Sequence, residues 1–163
     1  MLNFGRKKKV RWEDVANFQI DSPKAVKTFI DKLFEEYAWN PMFSKTVIEE
    51  YKKFMFLIAT NPGQSFTPSK CVDRVWHVHL QYTKNYWKEF CVLLGREIHH
   101  HPGDGSPVKE ETFRRDYQKT LRIYEETFGH PAPENVWGRP KEMVEKKSNA
   151  KTVVASIIPL LFL

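Results

Sequence analysis

Pro68-Ser69-Lys70-Cys71-Val72-Asp73-Arg74-Val75-Trp76-His77-Val78-His79-Leu80 sets two histidines and an aspartate inside what otherwise reads as a core helix. At 100° per residue the predicted helix from Pro68 to about Leu94 carries Val72, Val75, His79, Tyr82, Tyr86, Phe90 and Leu93 on one side. Asp73, Trp76, His77, Leu80, Trp87 and Leu94 share another side, and only Arg74, Gln81, Asn85 and Glu89 form a polar strip. A helix apolar on two sides packs against neighbours on both, so it is expected at the centre of the fold. His77 and His79 are then expected to be buried and to point in roughly opposite directions. A buried imidazole or carboxylate needs a partner, which makes this stretch the place to look for a site.

Three further periodic segments surround it. Ser22-Pro23, Thr67-Pro68 and Ser106-Pro107 each suit a helix start, with the hydroxyl as cap and Pro at the first helical position. After Pro23, Val26, Phe29, Ile30, Leu33, Phe34 and Tyr37 recur at helical spacing. After Pro41, Val47, Ile48, Tyr51, Phe54, Met55 and Ile58 do the same, ended by Asn61-Pro62-Gly63. Phe113, Tyr117, Leu121, Tyr124 and Phe128 form a fourth stripe, with Gly129 as its C-terminal cap. No alternating strand pattern competes. The expected fold is a compact, all-α, four-helix domain around a central buried helix.

The chain has 163 residues, enough for one domain with a real core and too few for two ordinary ones. Hydrophobic content of 41% with 14% aromatics argues for a folded globule. The formal charge of +6 belongs to the ends. Arg6, Lys7, Lys8, Lys9 and Arg11 make residues 1–11 a basic arm. Arg139, Lys141, Lys146, Lys147 and Lys151 make residues 139–151 a charged linker. Residues 12–138, the expected helical domain, hold 16 basic and 18 acidic residues, so a nucleic-acid partner is disfavoured. Thr152 to Leu163 carries no charge but is too short for a span of about 20 residues. With the basic ends, it points to a peripheral contact with the inner face of a membrane, the alternatives being back-packing on the domain or part of a longer span. Cys71 and Cys91, about 30 Å apart on a straight helix, are expected to be free thiols. With no secretory leader near Met1, a cytoplasmic setting is expected.

Asp73 and His77, at i and i+4, can meet on one helical face. They read either as a metal ligand pair or as a hydrogen bond that tethers the helix. His79, in the apolar stripe, is a core imidazole bonded to a neighbouring helix, or an alternative ligand. His99-His100-His101 suits a metal tract, although adjacent residues cannot all face one ion. A straight helix to Gly95 would leave His77 about 27 Å behind, while the residues to His100 span about 17 Å at most. A shared site therefore requires the helix to end or bend near Cys91. Cys91 itself, about 21 Å along the helix from His77, is excluded as a ligand. Asp104, between glycines, and His130, between Gly129 and Pro131, suit turns. There is no Gly-rich phosphate loop and no Gly-x-Ser-x-Gly elbow, so nothing points to a nucleotide cofactor or a serine hydrolase.

Val72-Asp73-Arg74-Val75-Trp76-His77-Val78-His79-Leu80, with Tyr82 to Trp87, Phe90-Cys91, Leu94-Gly95 and His99 to Gly105, resembles an uncharacterised bacterial family. Tyr117-x-x-Thr120-Leu121-x-x-Tyr124, Phe128-Gly129 and Pro133-x-x-x-Trp137 resemble the same family. The core is similar to the Val-Asp-x-x-Trp-His-x-His of plant glycine-rich domain proteins, whose long glycine-rich tail this chain lacks. The resemblance implies that Asp73, Trp76, His77, His79 and one or two of His99 to His101 act as a unit. Two functions follow as expectations. One is a buried Asp/His site for a divalent metal, Zn2+ or Fe2+, drawn from Asp73, His77, His79, His99, His100 and His101. The other is a non-catalytic module for a protein partner, in which the same residues only fix helix packing. No reaction is assigned by either.

Overall fold

The computed structural model describes residues 9–101 and 107–138. The expected basic arm before Lys9, the turn at Asp104 and everything from Arg139 through the apolar tail lie outside the described residues. Among the described residues every regular element is helical, as the periodicity predicts. The elements are α1 (Trp12–Ala16), α2 (Phe29–Tyr37), α3 (Pro41–Thr60), α4 (Lys70–Gln81), a π-helical segment (Asn85–Phe90), α5 (Cys91–Leu93), α6 (Pro107–Phe128) and α7 (Glu134–Trp137).

Starts and stops follow local chemistry, with two corrections to the expected helix starts. α2 begins at Phe29, not after Pro23, because Thr28 and Asp31 form a reciprocal capping box. Asp21 strengthens that start by accepting from the Phe29 N–H at 2.7 Å. Pro23 is left in a turn closed by Ala25 N–H on the Ser22 carbonyl, and Val26, expected on the apolar stripe, is fully exposed. α3 starts with Asn40 as cap and Pro41 at the first position. Ser69, not Thr67, caps α4 by accepting from the Val72 N–H. Gly129 takes a positive φ of 76° just past α6, as the stop signal there predicts.

α3 and α4 form the centre. α4 packs against α2, α3 and α7, while α3 also meets α1, α6 and α7. Val47, Tyr51, Phe54, Met55 and Leu57 of α3 face Val72, Val75, Trp76 and Val78 of α4 within one buried cluster. Burying each large apolar side chain contributes about 1.5–3 kcal/mol, which is what holds these two helices together.

The expected continuous helix to Leu94 is broken. α4 stops at Gln81, Tyr82 leaves helical geometry with ψ of 56°, and the chain restarts as a π-helical turn. No Pro or Gly marks the break. Side chains make it: His79 Nε2 bonds Asn85 Oδ1 at 2.7 Å and Trp76 Nε1 donates to Tyr86 Oη at 2.9 Å. On a straight helix Asn85 would lie about 9 Å beyond His79 and a third of a turn round, out of reach. π turns are uncommon and concentrate at functional sites.

A second reversal follows at Gly95, whose φ of 69° closes α5. Arg96 N–H reaches the Cys91 carbonyl and Gly95 N–H the Val92 carbonyl, the Schellman pattern. The chain then runs back toward α4, carrying Glu97 to His101. The bend that a shared site requires therefore exists, but it lies at Tyr82 rather than near Cys91.

Candidate metal centre

Asp73 and His77 lie one turn apart on α4, and the returning segment brings His100 between them. His100 Nε2 donates to Asp73 Oδ1 at 2.7 Å, and His77 Nε2 is 3.9 Å from Asp73 Oδ2. The His77 and His100 rings are 4.5 Å apart. One ligand atom from each of the three residues lies within 4.8 Å of the others. At metal bonds of about 2.0–2.1 Å a tetrahedral edge is about 3.4 Å, so small rotations of the three side chains would bring them onto one ion.

The site differs from the expected buried one. His77 is exposed, its side chain 48% accessible, and Asp73 is half-buried at 33%. The polar face of α4 is not covered by a neighbouring helix but opens on a groove. Asp73, Trp76, His77 and His100 line that groove together with Arg96 and Phe113. Thr67 N–H donates to the Thr120 hydroxyl at 3.0 Å and pins one wall to α6. Of the three imidazoles in the loop, only His100 turns inward, with its ring 4.6 Å from Trp76 and its side chain 13% exposed. His99 stacks toward Trp87 and faces Glu97 at 3.5 Å, and His101 is exposed. All three border the groove, but only His100 puts a ring nitrogen within reach of Asp73 and His77.

His79 stands apart. It is fully buried on the opposite face of α4, ringed by Phe18, Phe29, Tyr51, Tyr86 and Phe90. Tyr51 Oη sits 2.8 Å from Nδ1 and Asn85 Oδ1 2.7 Å from Nε2. Asn85 Nδ2 donates to Gln19 O and Glu89 Oε2, which fixes its Oδ1 as the acceptor for His79. His79 therefore carries its proton on Nε2 and accepts at Nδ1, with both nitrogens engaged. Burial lowers its pKa from 6.5 to about 4, against the opposing pull of Asn85. Its place is in the architecture, holding the π-helical segment against α3 and α4, and not among the ligand atoms of the cluster.

Sequence reasoning missed a second buried polar group. Glu50 on α3 accepts from Lys53 Nζ at 3.0 Å, Tyr124 Oη at 3.1 Å and Trp137 Nε1 at 2.8 Å. Lys53 also lies against the Tyr124 and Phe128 rings. Burial works against its charge, but hydrogen bonds to Tyr124 and Glu50 outweigh that and hold its pKa above the ordinary range. Burial pushes the Tyr124 hydroxyl up to about 12. The only sequence signal was a Glu and a Lys breaking the apolar stripe of α3, which an exposed face explains equally well.

An all-helical protein with a carboxylate and two imidazoles gathered at the edge of an open groove is the class that fold and site define. The chain belongs to the UCP032817-like family, an uncharacterised family whose model matches residues 17–131. That span contains α2 to α6 and every residue of the cluster. No curated protein and no solved structure is significantly similar to the chain.

Proposed function

We propose that this protein binds a divalent metal ion, Zn2+ or Fe2+, through Asp73, His77 and His100. The reading rests on one observation: three ligand atoms of types suited to these ions converge within 4.8 Å at the mouth of a groove. One carboxylate and two imidazoles on one side of an ion leave its other positions open to water or a ligand in the groove. Asp73, hydrogen-bonded to His100 in the present arrangement, would pass from acceptor to ligand, and His100 would bind as the neutral tautomer with its proton on Nδ1 and its Nε2 lone pair on the ion.

A specific observation favours a second reading. The 2.7 Å bond between His100 and Asp73 already satisfies both groups, so it can serve to tie the loop to α4 without an ion. The protein would then be a non-catalytic interaction module. Calorimetric titration and elemental analysis of protein purified without a His tag separate the two. Metal binding predicts about one equivalent of ion, lost in Asp73→Asn and His100→Ala. Less than about a tenth of an equivalent, with a melting temperature unmoved by chelator, sinks the metal reading.

Membrane contact through the tail stays a proposal resting on the sequence of residues 152–163. Among the described residues no helix is long and apolar enough to cross a membrane. Comparing the fractionation of the full chain with a version ending at Lys151 tests the tail. If both stay in the soluble fraction at low salt, the tail is not an anchor.

A further inference from the structure

His100 reaches Asp73 from a loop, and a loop histidine makes a poor ligand unless something fixes its backbone. The backbone here is fixed two residues earlier. Tyr86 Oη donates to the Ile98 carbonyl at 2.5 Å while accepting from Trp76 Nε1 at 2.9 Å. Ile98 is itself 4% exposed, so the carbonyl that Tyr86 holds belongs to a buried residue. Tyr86 is fully buried and Trp76 is 5% exposed, so neither bond competes with bulk water. Trp76 closes the arrangement by presenting its ring to the His100 imidazole at 4.6 Å.

These contacts form a closed loop through two elements. Trp76 lies between Asp73 and His77 on α4, so the group that grips Tyr86 belongs to the same rigid helix as two of the three proposed ligands. Tyr86 belongs to the π-helical segment, and the break at Tyr82 is what swings it back to reach Trp76. We propose that Tyr86, seconded by Trp76, is a positioning residue that sets His100 against Asp73 and thereby the metal affinity of the site. The inference rests on the metal reading for its consequence in affinity, but the placement of His100 is testable without any ion.

Removing a group that orients a ligand typically costs 10–100-fold in metal affinity. Tyr86→Phe keeps the ring and deletes only the hydroxyl. Trp76→Phe deletes the N–H and leaves the bond from Tyr86 to Ile98, so its loss should be smaller. Tyr124→Phe deletes a buried hydroxyl in the distant Glu50 group and serves as the stability control. Two readouts are used. The first is the nuclear Overhauser contact between the Trp76 and His100 rings in metal-free protein, with the Tyr86→Phe and Tyr124→Phe variants compared with the parent. The second is Zn2+ affinity well below the melting temperature.

The expected result is loss of the ring contact and a fall of about tenfold or more in Zn2+ affinity for Tyr86→Phe. Tyr124→Phe should leave both within about twofold despite a lower melting temperature. If the parent takes up no Zn2+, the metal reading fails and the ring contact alone decides the positioning role. A ring contact that persists in Tyr86→Phe, or unchanged affinity in both Tyr86→Phe and Trp76→Phe, overturns the inference.

Discussion

His100 Nε2 lies 2.7 Å from Asp73 Oδ1 across a sequence separation of 27 residues, while His99 and His101 on either side of it stay outside the ligand cluster. The loop therefore offers one working imidazole. His100→Ala is expected to remove Zn2+ binding, whereas His99→Ala and His101→Ala should change its affinity by less than about twofold. Calorimetry on the three variants checks this. Equal losses in all three would show that the tract binds as a disordered chelator and not through a built site.

His77 has consequences for binding but few for folding. Because its side chain is 48% exposed and 3.9 Å from Asp73, the pair contributes little to stability. His77→Ala should shift unfolding by less than about 0.5 kcal/mol, although a buried pair would have cost 1–3 kcal/mol. Urea titration of metal-free protein is the measurement. A loss above about 1 kcal/mol would place His77 in contacts deeper than those described.

Acid should unfold the protein through His79. Its folded pKa of about 4 lies below the ordinary 6.5, so the folded state favours the neutral ring. That contribution is present above pH 6.5 and drains away as the pH falls toward 4, at up to about 1.4 kcal/mol per pH unit. His79→Gln removes this titration and should flatten the stability profile between these limits, whatever its cost at neutral pH. Denaturant midpoints at pH 7, 6, 5 and 4 for both proteins test it. Parallel profiles would mean that His79 titrates alike in the folded and unfolded states, and would overturn the lowered folded pKa.

Glu50 holds three donors from three elements in a site where it is 3% exposed. Glu50→Gln leaves Lys53 without its buried counter-charge, and the expected loss is on the order of 3 kcal/mol. Lys53→Met should cost less, since it removes a charge together with its desolvation. Chemical denaturation of both variants provides the comparison. The reverse order would show that Lys53 and not Glu50 carries the network.

Thr28 marks the true start of α2. Thr28→Ala should destabilise by about 1 kcal/mol by breaking the capping box with Asp31, while Ser22→Ala should be nearly silent. Thermal unfolding of the pair distinguishes the two starts.

Helical periodicity made the all-α fold legible, and Asn40, Ser69 and Gly129 acted as the local rules say they should. The start of α2 is not decided by sequence because two hydroxyl caps six residues apart compete, and the outcome turns on Asp31 reaching back to Thr28. The break at Tyr82 was not legible, since no breaker residue stands there. It is caused by the bonds from His79 to Asn85 and from Trp76 to Tyr86, which exist only once the segment has turned. For the site, Asp73 and His77 followed from i, i+4 spacing. That reach was shown to need a bend, but the choice of His100 among three identical neighbours depended on which one faced Trp76. The exposure of His77 escaped because a face can be apolar around a residue and still border a groove. The role of His79 was half legible: a core imidazole was foreseen, but its partners came from the π turn and from α3.

The wide turn from Asn85 to Phe90 also makes this chain unevenly tolerant of changes in length. Removing or adding one residue there would rotate Asn85 and Tyr86 away from His79 and Trp76 together, and the effect would surface at His100, outside the altered stretch. Around Gly63 and Gly129, where a side chain would meet open space, the same change would be absorbed by the turn itself. Alignment gaps among family members should therefore collect at those turns and be absent between Tyr82 and Ile98.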